Sequence, residues 1–297
     1  DTFPSLRNIF NGQKVTVGPI YYKRASGPLW GALIFLMGVC PLSAWRVSTA
    51  KSLGRNVWKP ALVSLIVPVV LVINGMSSWM AILALWLCAF VIFVTVYEFY
   101  RAAAARSRKA GDNFLSELWK LVARNRRRYG GYMIHFGIVF IAIGIIGIEM
   151  FQTETQGTVP LGGQISLENY TIRYDSLAEF ETGDNRHVAR AVVSVFKDGE
   201  YAGELNPRSD YYYESRQSVT IPGLRTSLED DLYIILVDWQ PISTQRATFK
   251  LFRNPLVNWL WIGSVVLIIG TVVAAWPHPE TQELKQSSAM VRKAVEP

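Results

Sequence analysis

Cysteine is nearly absent from this chain. Its 297 residues hold two, Cys40 and Cys88, with no CxxC pair, which excludes a thioredoxin-like dithiol and a thiolate metal site. Each thiol lies in a different apolar run, the place of a buried structural cysteine. Charge is scarce too: 18% of residues are Asp, Glu, Lys or Arg, against about a quarter in soluble domains. Carboxylates within the apolar runs are confined to Glu98 and Glu149, both at run ends. That shortage, with no internal repeat, removes the paired charges and symmetry on which transporters are built. No basic n-region, apolar h-region and cleavage site opens the chain, which starts at Asp1.

What is present is hydrophobic. Half of the residues are apolar and 12% aromatic, with a mean hydropathy of +0.19, and the apolar residues are clustered into runs long enough for a bilayer. The net charge of +7 and pI near 9.4 sit in short segments beside those runs. Membrane topology and anionic lipid account for that placement, and no nucleic-acid partner is expected.

The expected fold class is an α-helical polytopic membrane protein with a small extracytoplasmic β domain between its last two helices. Five spans are predicted: Pro28 to Trp45, Pro60 to Met76 with a kink at Pro68, Trp79 to Tyr97, Tyr132 to Phe151, and Leu256 to Trp276. Asn74-Gly75 reads as a tight turn joining the second and third. The basic segments 46–59 and 98–131 read as cytoplasmic loops, because Lys and Arg concentrate there and the turn between them is uncharged. The N-terminal segment 1–27 is then outside, although Arg7, Lys14, Lys23 and Arg24 run against the rule and are outnumbered. The tail 277–297, with His278 at its start, is polar, inside and expected to be disordered. Within 98–131, Phe114, Leu115, Leu118, Leu121 and Val122 share a helical face; a helix lying in the interface and a solvated linker helix both fit.

Residues 152–253 differ in kind, being polar and acid-rich. Alternation in "YTIRY" (Tyr170 to Tyr174), "VVSVF" (Val192 to Phe196) and "DLYIILVDW" (Asp231 to Trp239) predicts strands, and Asp198-Gly199 predicts a hairpin turn. "DNRH" (Asp184 to His187) reads as a loop with a solvated histidine.

"RNRRRYGGYMIHFGIVFIAIGIIGIEMF", Arg124 to Phe151, carries the one ionisable group set inside a span, His135. At 1.5 Å per residue it lies about 6 Å beyond Gly131. An intramembrane ionisable side chain is a functional hypothesis by default, while hydrogen bonding to a neighbouring helix is the structural alternative. A single imidazole suits one axial position of a haem iron. Gly130, Gly131, Gly137, Gly144 and Gly147 would admit either a flat macrocycle or another helix. Arg126, Arg127 and Arg128 are candidates for haem propionates, or a basic anchor at the membrane face. A six-coordinate haem b needs a second ligand that these spans do not supply: His187 and His278 lie outside them, and Met80 and Met150 are near interfaces.

These residues carry a resemblance. "RNRRRYGGYMIHFGIVFIAIGIIG", "NGQKVTVGPIYYKRASGPLWGALIFLMGVCPLSAWR", "LNPRSDYYYESRQSVTIPGLRTSLEDDLYIIL" and "NPLVNWLWIGSVVLIIGTVVAAWP" resemble the C-terminal half of the CcmF family, the membrane subunit of the system I haem lyase. The likeness runs from about Thr2 to Pro277. It implies that His135 matches an axial ligand of the family's permanent haem b, whose second ligand comes from an N-terminal half. That half also carries the WWD motif and two external histidines for the transient substrate haem, none of which is here. The implied activity is covalent attachment of haem to a CxxCH apocytochrome c, by a complex in which this chain alone would be inactive. Implied partners are the N-terminal half, the haem chaperone, the thiol-handling subunits, apocytochrome c and membrane lipid. The implied location is the bacterial inner membrane with 152–253 in the periplasm, and the missing half points to a natural split or a truncation.

Overall fold

The structure is a computed structural model that describes residues 18–40, 50–110, 113–239 and 246–277. The chain divides into two compact units, one running to Val139 and resuming at Val265, the other Phe140–Ser264. Residues 1–17, 41–49 and 278–297, His278 among them, lie outside the described residues.

The first unit is helical. Its elements are α1 (Pro19–Val39), α2 (Ala50–Ser64), α3 (Ile66–Ile73), α4 (Trp79–Ala110), α5 (Phe114–Arg124), and parts of α6 (Arg126–Phe151) and α7 (Asn258–Ala275). Among the described residues, three helices are long and apolar enough to cross a membrane: Trp79–Arg108, Arg126–Phe151 and Val257–Ala275. The first two predicted spans instead fall in shorter apolar helices, Arg24–Val39 and Val57–Ile73. The break between α2 and α3 at Leu65 follows from Pro68, which has no N–H to donate to the Ser64 carbonyl four residues back. Gly75, at φ +86°, closes the turn into α4 as expected.

Two expectations need correction. The basic segments 46–59 and 98–131 are not loops throughout: α2 begins at Ala50, α4 runs on to Ala110, and α5 and the start of α6 fill most of the rest. Ala102 to Ala105 and the flanking arginines are strong helix formers, so charge ends the apolar span without ending the helix. Cys40, at the C-terminal cap of α1, is exposed rather than buried; Cys88, inside α4, is buried.

The second unit is a β-sandwich carried between the ends of α6 and α7. One antiparallel sheet has the order β1-β10-β9-β8, with β1 (Thr153–Pro160), β8 (Gly223–Thr226), β9 (Asp230–Trp239) and β10 (Arg246–Pro255). The other runs β2-β3-β4-β6-β7, with β5 also paired to β4: β2 (Gln164–Leu167), β3 (Tyr170–Thr182), β4 (Arg186–Lys197), β5 (Glu200–Leu205), β6 (Arg208–Tyr212) and β7 (Gln217–Ile221). Alternate residues point inward, as a period of two requires. Tyr170, Ile172 and Tyr174 from β3 and Val193 and Val195 from β4 meet Leu232, Ile234 and Leu236 from β9 and Phe249 and Leu251 from β10 in one core. Full burial of each aliphatic side chain contributes about 1.5–3 kcal/mol. Asp198 and Gly199 take φ of +53° and +87°, the tight hairpin the dipeptide predicts. His187 is a strand residue of β4, not a loop residue; the chain turns just before it, at Asn185.

Candidate functional site around His135

α6 presents two different faces within the helical unit. Gly130 and Gly137, seven residues apart, meet Ala274 and Leu267 of α7, also seven apart. A Cβ at Gly137 would stand 2.6 Å from the Leu267 backbone nitrogen, so only glycine allows this approach. In the second unit Gly144 meets Leu260, and a Cβ at Gly147 would fall 2.1 Å from the Pro255 carbonyl oxygen. These glycines therefore serve helix-on-helix packing, as small residues do between membrane helices. A Cβ at Gly131 would meet nothing within 4 Å among the described residues.

At 100° per residue, His135 lies about 160° round the helix from Gly137, away from the α7 face. It shares a side with Arg128, Tyr132 and Val139. Its ring centroid is 6.3 Å from that of Tyr132. The Nδ1 atom is buried and meets no hydrogen-bond partner among the described residues. A buried polar nitrogen without a partner is costly, and native proteins seldom leave one so.

An ionic and aromatic network stands one to two turns from His135. Glu98 of α4 is 3% exposed and receives a hydrogen bond of 3.0 Å from Arg128 Nη2. Arg101 lies 3.3 Å from its other oxygen. Arg128 Nε donates to Tyr132 Oη at 3.1 Å, and its guanidinium lies over the Tyr129 and Tyr132 rings. Phe99 packs on Tyr129, Tyr132 and Phe136. The arginine triplet thus divides. Arg126 donates to the carbonyls of Ala123 and Pro277, at 3.1 and 3.3 Å, and Arg128 is held by Glu98. Arg127 is exposed. Sequence reasoning missed the Glu98–Arg128 pair; its one signal was a carboxylate at the end of an apolar run.

Among the described residues no group of three His, Cys, Asp or Glu side chains could hold a metal ion. A lone imidazole is not such a cluster, so its donor chemistry fits one axial position of a porphyrin iron and not a self-contained metal site. Met80 and Met150 are exposed.

The sandwich has its own polar centres. Buried Asp230 accepts from Arg253 Nε at 2.5 Å and from Tyr170 Oη at 2.8 Å. Burial pushes its carboxyl up, but these hydrogen bonds outweigh it and hold the pKa below the ordinary value. Its neighbour Asp231 accepts from Asn258 Nδ2 at 2.8 Å, and burial raises its pKa. On β4, His187 Nδ1 lies 2.9 Å from Glu181 Oε1, which also accepts from Tyr213 Oη at 2.9 Å.

Residues 150–255 match the family described as the CcmF C-terminal beta-sandwich. The chain is 23% identical over 274 residues to the cytochrome c-type biogenesis protein CcmF of Pseudomonas aeruginosa, covering 92% of this chain and 40% of that protein. The chain is a homologue of the CcmF C-terminal region. The probable cytochrome c-type biogenesis protein NrfE of Escherichia coli is 25% identical over 162 residues, covering 54% of this chain and 29% of NrfE. A solved structure of the cytochrome c haem lyase CcmF superposes with a TM-score of 0.71 at 21% identity, over 88% of this chain and 41% of that one. The fold is therefore shared. The chain spans about 40% of the length of the CcmF proteins it matches.

Proposed function

We propose that this chain is the C-terminal part of a membrane haem lyase of cytochrome c maturation, in which His135 supplies one axial ligand to a haem b held between helices. The observation that carries this reading is the buried Nδ1 of His135, which has no partner among the described residues, in a chain resembling CcmF over 92% of its length. His135 would find the missing interaction in a haem iron or in a group from another chain. When bound, the haem b would provide the electrons that keep the substrate haem iron reduced during attachment to CxxCH.

This chain's own residues position. His135 would hold the iron, with Tyr132 beside its ring. Arg127 is the best propionate candidate of the triplet, since Arg126 and Arg128 already serve carbonyls and Glu98. The second axial ligand, the WWD motif and the external histidines come from an N-terminal half, without which this chain is inactive. α1 and α2–α3 are the remaining two of five spans, with the N-terminus out, the C-terminus in, and the sandwich in the periplasm. There the sandwich docks the thiol-handling subunit or the haem chaperone.

A second reading, a non-catalytic adaptor of the assembly complex, draws support from the glycines of α6, which are used by α7 and not by a cofactor. The test is the reduced-minus-oxidised visible spectrum of the chain co-purified with the N-terminal half, for wild type and His135→Ala. A b-type spectrum lost on substitution is the expected result. A full, unshifted signal without His135 sinks the ligand assignment and moves the adaptor forward.

A further inference from the structure

α5 uses only part of its apolar surface inside the protein. Phe114, Leu118, Leu121 and Val122 pack with Phe99, Ala102 and Ala103 of α4 and with Tyr129 and Tyr132 of α6. At 100° per residue, Leu115 and Trp119 continue the apolar arc at about 100° and about 140° from Phe114. Leu115 and Trp119 on that flank are 69% and 75% exposed. Ser116, Lys120 and Arg124 occupy the opposite flank.

The level of this flank can be counted. Trp79 to Glu98 of α4 is 20 residues, as is Tyr132 to Phe151 of α6; at 1.5 Å per residue each covers about 30 Å, the hydrocarbon thickness of a bilayer. Both counts end at the Phe99–Tyr132 cluster on which α5 sits. Two independent helices therefore put α5 where hydrocarbon gives way to headgroups, a layer that tryptophan favours.

Charge at this level points the same way. The described carboxylates here, Glu98 and Glu117, are buried. Glu98 is matched by Arg128 and Arg101, Glu117 by Arg106 at 3.2 Å and Lys120 at 2.9 Å. The outward charge from Arg108, Arg124 and Arg127 is cationic.

We infer that α5 is an interfacial anchor: Leu115 and Trp119 insert into the acyl–headgroup boundary of the bilayer that α4 spans, and the surrounding arginines engage anionic headgroups. The inserted flank orients the α4–α5–α6 junction against the membrane plane. This assignment stands whether or not His135 binds haem.

The test is spin-label accessibility in the full chain reconstituted in vesicles of mixed zwitterionic and anionic phospholipid. Cys40→Ser and Cys88→Ala remove the native thiols, and single cysteines replace Leu115, Ser116, Trp119 or Arg124, all on the helix surface. The expected result is a several-fold higher ratio of oxygen to nickel-chelate access at 115 and 119 than at 116 and 124. The contrast should shrink in purely zwitterionic vesicles. Equal nickel access at all four sites means a solvated linker helix and overturns the inference. Exclusion of both reagents at 115 and 119 means that a second copy covers the flank, and overturns it too. A contrast indifferent to lipid charge removes the headgroup engagement.

Discussion

The sandwich is closed on itself, and the helical unit is not. In the sandwich, Ile172, Val193, Leu232, Ile234 and Phe249 are fully buried, and the buried carboxylates Asp210, Asp230 and Asp231 are met by Arg186, Arg253 and Asn258. Among the helices, Leu29, Ile73, Trp79, Val265 and Ile268 expose large apolar surface. The same chain thus contains one region that buries its own apolar core and one whose apolar surface depends on lipid or other protein for cover. Physical incompleteness is informative: it marks where a surrounding partner must act.

The largest test of that contrast is excision. Residues 150–258, expressed without the other helices, should be soluble and unfold in one cooperative transition, whereas residues 18–139 should aggregate unless detergent is present. A sandwich that fails to fold alone would show that its core needs α6 and α7. Next in size is Asp230→Ala in the full chain. Losing a buried carboxylate strands Arg253, and breaking a buried pair this way costs about 3–5 kcal/mol; chemical denaturation followed by near-ultraviolet circular dichroism would measure it. A loss below about 1 kcal/mol would place the pair in the class of exposed ion pairs.

Which parts were legible follows from how each is encoded. Spans and strands are written locally: the apolar run after Gly131 and the alternation in "YTIRY" carry their own period, and α6 and β3 fall there. His135 was legible as a candidate because nothing else ionisable lies inside a run. Pairings between distant residues were not. Glu98 and Arg128 are 30 residues apart, and no local period links them. Gly137 could have faced a cofactor or a helix until Leu267 appeared beside it. The basic segment after Tyr97 misled because charge marks the end of the apolar layer, while alanines continue the helix through it. His187 misled because "DNRH" has turn composition, yet the turn closes in time to return the histidine to the sheet.

Two glycines of α6 sharpen the comparison on a smaller scale. Gly137→Ala puts a methyl against the α7 backbone and should cost about 1–3 kcal/mol through overpacking. Gly131→Ala meets open space and should be neutral or stabilise by up to about 1 kcal/mol through helix propensity. Thermal unfolding in one detergent, with both variants side by side, reads the difference. Equal effects would mean that the close approach of α6 and α7 is not what α6 needs from its glycines.

The smallest effect is a pH dependence confined to the sandwich. His187 is flanked by Glu181, Glu179 and Tyr213, with Tyr211 opposite it on β6. Its hydrogen bond to Glu181 outweighs partial burial and raises its pKa above the ordinary value. A raised folded-state pKa means that the folded form holds the proton more tightly, so the contribution is complete below about pH 6.5, the unfolded value, and is lost as pH rises through the folded value. Asp230 runs the other way: its lowered pKa gives stability above about pH 4 that disappears as pH falls. The melting temperature of wild type should therefore exceed that of His187→Gln at pH 5.5 and converge with it by about pH 8.5. A constant difference across that range would mean that the imidazole acts in the sheet by packing and not by charge.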